Sequence, residues 1–209
     1  MTAGLNPRSR YPLWLLGLYL LWWSVLAIAP WYREDWLLEN ALVLVGLPVV
    51  VAVHRRLSRA ALTALFVFFM LHAVGAHYTY SEVPYDAWSE AVFGRSVRDL
   101  FGFERNHFDR LVHFLYGLLV TPAAIELLDA RVTQRGGWRF LVPFTFMASH
   151  SVIYEVIEWG AAEVFGGDLG QAYLGTQGDV WDAQKDSALA LAGALVAVIF
   201  VRLRAGRRA

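Results

Sequence analysis

The chain has 209 residues, 57% of them hydrophobic and 17% charged, with no cysteine and a net charge of zero. A soluble domain carries about 25% charge and about 45–50% apolar residues, and here the apolar excess is gathered into blocks with the charges between them. These figures exclude a disordered chain, a disulfide scaffold, thiolate metal sites and cysteine nucleophiles, and leave no basic surplus for a nucleic-acid partner.

In chain order, six apolar stretches reach or approach the roughly 20 residues a helix needs to cross a bilayer core: residues 12–29, 37–53, 60–76, 111–128, 140–158 and 186–203. None alternates as a barrel strand would. The expected fold is therefore all-α, a single-domain six-helix bundle embedded in the lipid bilayer. The first stretch has the look of a signal peptide, with Arg8 and Arg10 ahead of it and Ala27-Ile28-Ala29 at its end. Its apolar run exceeds a usual signal core and meets Pro30 directly, so it reads as a retained helix. Cytoplasmic flanks of membrane helices hold the excess of Lys and Arg. Arg8 and Arg10, then Arg55, Arg56 and Arg59, then Arg131, Arg135 and Arg139, and finally Arg202, Arg204, Arg207 and Arg208 fall on one side, 12 of the 18 basic residues. Both termini are thus expected in the cytoplasm. The long connections 77–110 and 160–185, the second rich in glycine, are expected on the outer face, with a short interfacial helix over 88–93. Long loops are more often functional than decorative.

Ionisable residues at the mouth of a membrane span are costly and each needs a reason. The third stretch ends in His72, His77 and Tyr78, and the fourth opens on Asn106, Asp109, Arg110 and His113. The fifth closes with Glu155 and Glu158, and the sixth is preceded by Gln177, Asp179, Asp182, Lys185 and Asp186. Alternating directions bring all four groups to the outer leaflet. Asp109 and His113 are i,i+4, Glu155 and Glu158 i,i+3, and Asp182 and Asp186 i,i+4, so each pair shares a helix face. His72 and His77, five apart, diverge by about 140° on a regular helix and converge only if the helix breaks near Gly75.

Carboxylates and imidazoles aimed into a bundle from several helices suit a divalent cation, with Zn, Mn or Fe favoured by the mixture and Mg also accommodated. The expected ligands are His72, His77, Asp109, His113, Glu158, Asp179 and Asp186. Glu155, Asp182 and Lys185 are the expected catalytic groups, and Tyr78, Asn106, Arg110 and Gln177 the expected substrate contacts. Plainer roles stay open for several of them. Asp109 with Arg110 also fits an interfacial cap and a snorkelling side chain, Asp182 with Lys185 a surface ion pair, and Asp179 or Asp182 an N-cap.

Four runs carry a family resemblance: HAVGAHYTY at 72–80, NHFDRLVHF at 106–114, YEVIEW at 154–159 and GTQGDVWDAQKD at 175–186. Together they resemble the YjdF family of bacterial inner-membrane proteins over most of the chain. That resemblance implies a multi-pass protein of the inner membrane and no particular reaction. The order Asp109-Arg110-Leu111-Val112-His113-Phe114, then Glu155 or Glu158, then Asp186 through Gly193 is more distantly similar to VanZ-like membrane proteins, which implies chemistry on envelope lipids or glycans. The second basic position is Arg here, and extra acids precede Asp186. Three functions follow as expectations: a metal-dependent membrane hydrolase acting on a lipid-linked or envelope substrate, an ion- or proton-coupled transporter, and a structural protein in which the cluster is a polar plug.

Overall fold

The computed structural model describes residues 10–133, 136–165 and 167–206; Arg8, Arg135, Gly166, Arg207 and Arg208 lie outside them. Among the described residues the regular structure is helical. The long helices are α1 Tyr11–Leu26, α2 Arg33–Val53, α3 Arg59–Tyr78, α6 Phe108–Asp129, α7 Trp138–Phe165 and α9 Asp182–Gly206. Between α3 and α6 lie α4 Tyr85–Phe93 and α5 Val97–Phe101, and between α7 and α9 lies α8 Gly167–Leu174. Local chemistry sets several ends. Pro12 sits in the first turn of α1, where its missing N–H costs nothing. The Ser58 and Ser96 side chains cap α3 and α5 by accepting from Ala61 N and Asp99 N. Gly94 and Gly102 end α4 and α5 in the left-handed conformation that glycine adopts without strain.

Among the described residues five helices, α2 with the short turn after it, α3, α6, α7 and α9, are long and apolar enough to cross a membrane. The first apolar stretch forms a shorter helix. It has 16 residues, about 24 Å at 1.5 Å per residue, and the Ala27-Ile28-Ala29 segment falls beyond its end with Ala29 at φ 47°. The short helix expected over 88–93 is present as part of α4. The glycine-rich connection starts later than its composition suggests: α7 runs through Gly160 to Phe165, and α8 follows. Ala161, Ala162 and Glu163 are strong helix formers, and together they outweigh one glycine at about 1 kcal/mol.

The α6 and α9 helices make the most extensive contact in the molecule, and α3 packs on the other flank of α6, with α7 beside α9 and α1 against α3. The α6–α9 crossing is made by glycine. A Cβ on Gly117 would collide with the Ala190 carbonyl and the Ala194 amide, and a Cβ on Gly193 would collide with the Phe114 carbonyl and the Leu118 amide. These reciprocal contacts, with Ala190, Ala194 and Ala197 buried alongside, bring two parallel backbones together as small residues do in membrane helix pairs. A substitution that meets backbone atoms has no flexible side chain to push aside. Gly117→Val and Gly193→Val are each expected to cost about 3 kcal/mol or more, the upper end for overpacking, and to lower the thermal unfolding midpoint in detergent. Gly17→Val, on a surface where nothing stands within 4 Å, should leave that midpoint unchanged.

Candidate functional site

The glycine crossing places two polar stripes opposite each other. Asp109, His113, Gly117 and Thr121 follow at four-residue intervals on α6, and Asp182, Asp186, Ala190 and Ala194 do so on α9, so each set occupies one face. Where the backbones meet at Gly117 and Gly193 the side chains are absent. One to three turns earlier they project as carboxylates and an imidazole. One potential ligand atom each from Asp109, His113 and Asp186 lies within 4.8 Å of the others.

The His113 ring is held between acids of two helices: Nε2 is 3.5 Å from Asp109 Oδ1, and Nδ1 is 3.6 Å from Glu155 Oε1 on α7. Asp186 is 2% exposed, yet among the described residues nothing hydrogen-bonds to its Oδ1 or to Glu155 Oε1. A buried polar atom without a partner costs about 1–3 kcal/mol and more when charged, so these oxygens stand where a positive ligand is wanted.

Two spaces flank this group. A cavity of about 50 Å³ on one side is lined by Asp109, His113 and Glu158 together with Glu39, His72, Tyr80, Tyr116 and Ser151. On the other side a cleft of about 740 Å³ runs between the α7 residues 152–159, the start of α9 and the connection ahead of it, with Glu155, Glu158 and Asp186 in its lining. Glu158 borders both.

The other predicted residues divide by position. Asp179 and Asp182 are engaged by cations: Arg110 Nη2 donates to Asp179 Oδ2 at 2.5 Å and to Asp182 Oδ1 at 3.2 Å, Arg105 Nη1 donates to Asp182 Oδ1 at 2.6 Å, and Lys185 Nζ donates to Asp179 Oδ2 at 2.5 Å. Arg105 also donates to the carbonyls of Thr176 and Gly175. Asn106 and Gln177 bind each other, Asn106 N donating to Gln177 Oε1 at 2.9 Å and Gln177 Nε2 to Asn106 O at 3.0 Å. Arg105, Arg110 and Gln177 therefore fasten the connection before α9 and the first residue of α9 to the start of α6, and Lys185 closes on Asp179 from α9. Asn106 and Gln177 spend their polar groups within the protein, whereas Arg110 Nε is buried without a partner among the described residues.

His72 and His77 do not converge, since α3 continues unbroken through Gly75 to Tyr78. Gly75 has another use: a Cβ there would strike the Tyr80 ring, which lies over the helix and reaches His72. The His72 Nε2 faces the Glu39 carbonyl at 3.1 Å. A carbonyl only accepts, so Nε2 carries the proton and Nδ1 accepts from the Tyr80 hydroxyl. Both ring nitrogens are thereby occupied, although His72 lines the cavity. His77 donates from Nδ1 to the Leu26 carbonyl at 2.7 Å, and Tyr78 packs edge-on against Trp31 and Trp88. Both stand apart from Asp109, His113 and Asp186.

Several buried polar residues escape a reading centred on span ends. Glu39 and Asn40, 4% and 5% exposed, lie inside α2. The Asn40 side chain accepts from Trp23 Nε1 at 2.5 Å, whereas Glu39 Oε2 is buried without a partner. Asp35 accepts from the Thr79 hydroxyl at 2.6 Å. The i,i+4 spacing of Asp35 and Glu39 at the head of an apolar helix is the signal that marks them. Arg105 carries no motif at all.

The helices long enough to cross a membrane, with ionisable groups turned inward between them, define a multi-pass membrane protein. The family model described as "Predicted membrane protein (DUF2238)" matches residues 11–207, and the chain belongs to that family. It is 37% identical over 174 residues to the inner membrane protein YjdF of Escherichia coli (strain K12), covering 81% of this chain and 78% of that protein. It is accordingly a multi-pass protein of the bacterial inner membrane. No solved structure matches it.

Lys185, the Trp181 amide and Arg110 hold the Asp179 carboxyl below the usual carboxylate range. A carboxyl depressed in the folded state stabilises fully above its unfolded value near about pH 4 and loses that contribution as pH falls toward the folded value. Asp179→Asn is therefore expected to lower the unfolding midpoint at pH 7. The gap from the parent should narrow only below about pH 4, as read by thermal denaturation at pH 7, 5, 4 and 3.

Proposed function

We propose that the protein is a metal-dependent membrane hydrolase acting on a lipid-linked or envelope substrate from the outer leaflet. The observation that carries this reading is Asp186: a buried carboxylate with an unpartnered oxygen, in donor reach of Asp109 and His113, at the wall of a cleft large enough for a ligand. Two carboxylates and an imidazole fit Zn, Mn or Fe, with Mg the harder alternative. Three protein donors are also what a catalytic rather than a closed structural site supplies. When bound, a divalent cation supplies Lewis acidity toward a phosphoryl or acyl oxygen.

The protein's own residues do the rest. Glu155, 3.6 Å from Nδ1, orients the His113 ring and leaves Nε2, beside Asp109, for the cation. Glu155 also borders the cleft, the position of a general base. It takes a proton from water as the water oxygen bonds to the phosphorus or acyl carbon, and returns that proton to the departing oxygen. The clasp of Arg105, Arg110 and Lys185 on Asp179 and Asp182 positions the cleft wall.

The reading includes six crossings with cytoplasmic termini. Its support is the pairing of α1 with α3 over nearly the whole of that helix: the Tyr11 hydroxyl meets the Thr63 hydroxyl near one end, and the Leu26 carbonyl accepts from His77 near the other. A helix lying along the length of a span covers much the same thickness. The placement of Lys and Arg gives the direction.

Protein purified in mild detergent is expected to carry close to one equivalent of Zn, Mn or Fe by mass spectrometry. Asp186→Ala and His113→Ala should lose it while still eluting as folded protein, and Asp179→Asn should keep it. A parent that stays metal-free after incubation with Zn, Mn and Mg contradicts the proposal.

A further inference from the structure

We propose that the cleft takes an amphiphile whose headgroup carries an ammonium group, seated against Glu155 and Glu158 with its chain along the apolar wall of α7. This deepens the hydrolase reading by naming a substrate class, and it rests on the cleft being the substrate site. The metal is not required for it.

Charge is the first ground. All the charged side chains that line the cleft are acidic: Glu155, Glu158, Asp179, Asp182 and Asp186. Asp179 and Asp182 are matched by Arg105, Arg110 and Lys185. A divalent cation bound at the α6–α9 junction would offset Asp109 and Asp186. Among the described residues no cation meets Glu158, and Glu155 faces only the His113 ring, whose Nδ1 is 3.6 Å from Oε1 and whose Nε2 is beside Asp109. Carboxylates one turn apart in a poorly solvated cleft repel each other and any anionic headgroup, and they attract a cation strongly. The cation must come with the occupant.

The second ground is the match to ammonium chemistry. A primary ammonium has three donors and no acceptor, which suits two neighbouring carboxyls. The Trp159 indole follows Glu158 directly, lines the same cleft and is 59% exposed, as a ring that holds a cation on its face requires.

The third ground is shape and polarity. Val152, Val156 and Val180 line the cleft and are more than half exposed. Val152 and Val156 lie on α7, a helix long and apolar enough to cross the membrane, and Val180 faces them from the turn ahead of α9; together they form an apolar wall beside the acidic floor. A free hydrophilic amine would leave this wall uncovered, whereas an alkyl chain covers it.

The full chain in a neutral maltoside detergent tests this with dodecylammonium, dodecanol and dodecyl phosphate as probes, using thermal midpoint shifts across a concentration series below micelle-forming levels. Dodecylammonium is expected to bind at least ten-fold more tightly than either of the others. The Glu155→Gln/Glu158→Gln variant should lose ten-fold or more of that affinity, and Trp159→Ala, a change on the surface, should lose about three-fold, in the range of an exposed cation–π contact. Equal binding of dodecanol or tighter binding of dodecyl phosphate overturns the proposal, as does full affinity in both variants. Lysophosphatidylethanolamine binding as well as dodecylammonium supports the proposal and assigns the ammonium to a phospholipid headgroup; failure of that lipid beside tight dodecylammonium supports it with a phosphate-free amphiphile. Metal content measured on the same samples separates the two claims. Ammonium selectivity in metal-free protein overturns the metal centre alone, and stoichiometric metal without ammonium selectivity overturns this inference alone.

Discussion

Two glycines facing each other's backbones hold this molecule in its working arrangement. Gly117 and Gly193 let α6 and α9 touch main chain to main chain, and everything at the site end is measured from that contact. Because the helices are parallel, the residues ahead of each glycine also face each other. On α6 these are His113 and Asp109; on α9 Asp186 and Asp182, about two and three turns before Gly193, come opposite them. A side chain at either glycine would part the helices there and move the imidazole away from the Asp186 carboxylate. The small-residue stripe that resembles plain helix packing is thus what sets the spacing of the polar group beyond it.

The polar residues around this junction act in two distinct ways. On one side, Arg105, Arg110 and Lys185 match Asp179 and Asp182, and a reciprocal pair of hydrogen bonds joins Asn106 to Gln177. Among the described residues that half leaves only Arg110 Nε buried without a partner, and it fixes the connection ahead of α9. On the other side, Asp186, Glu155, Glu39 and Ser151 each keep a buried atom without a partner. Native proteins pair nearly all such atoms. Tyr19, Asp35 and Arg110 keep one each elsewhere, and it is the group at the cavity and the cleft that the proposed ligand would complete.

Much of this was legible in the sequence, and what was not has physical reasons. The long apolar stretches announce the helices, and the i,i+4 spacing of Asp109 with His113 and of Asp182 with Asp186 gives their common faces. Spacing along one helix does not say which faces meet. The pairing of α6 with α9 comes from Gly117 and Gly193, whose reciprocal fit exists only in three dimensions. Asp179, Lys185 and Arg110 look like ligand and headgroup contacts because charge near a span end is costly, and an ion pair meets that cost equally well. His72 is a plausible ligand by type, and only the fold shows Tyr80 and the Glu39 carbonyl occupying both its nitrogens. Glu39 sits where a hydropathy window averages it away, one acid among valines and leucines. Gly160 reads as a helix end in isolation, and the alanines after it carry α7 onward.

The account turns on Asp109, His113 and Asp186 forming one coordination shell. X-ray absorption at the metal edge of zinc-loaded protein reads that shell directly. It predicts one imidazole nitrogen among oxygen donors at about 2.0–2.2 Å, with the imidazole signal gone in His113→Gln. A shell of water oxygens alone, or one with several imidazoles that persists in His113→Gln, would contradict it.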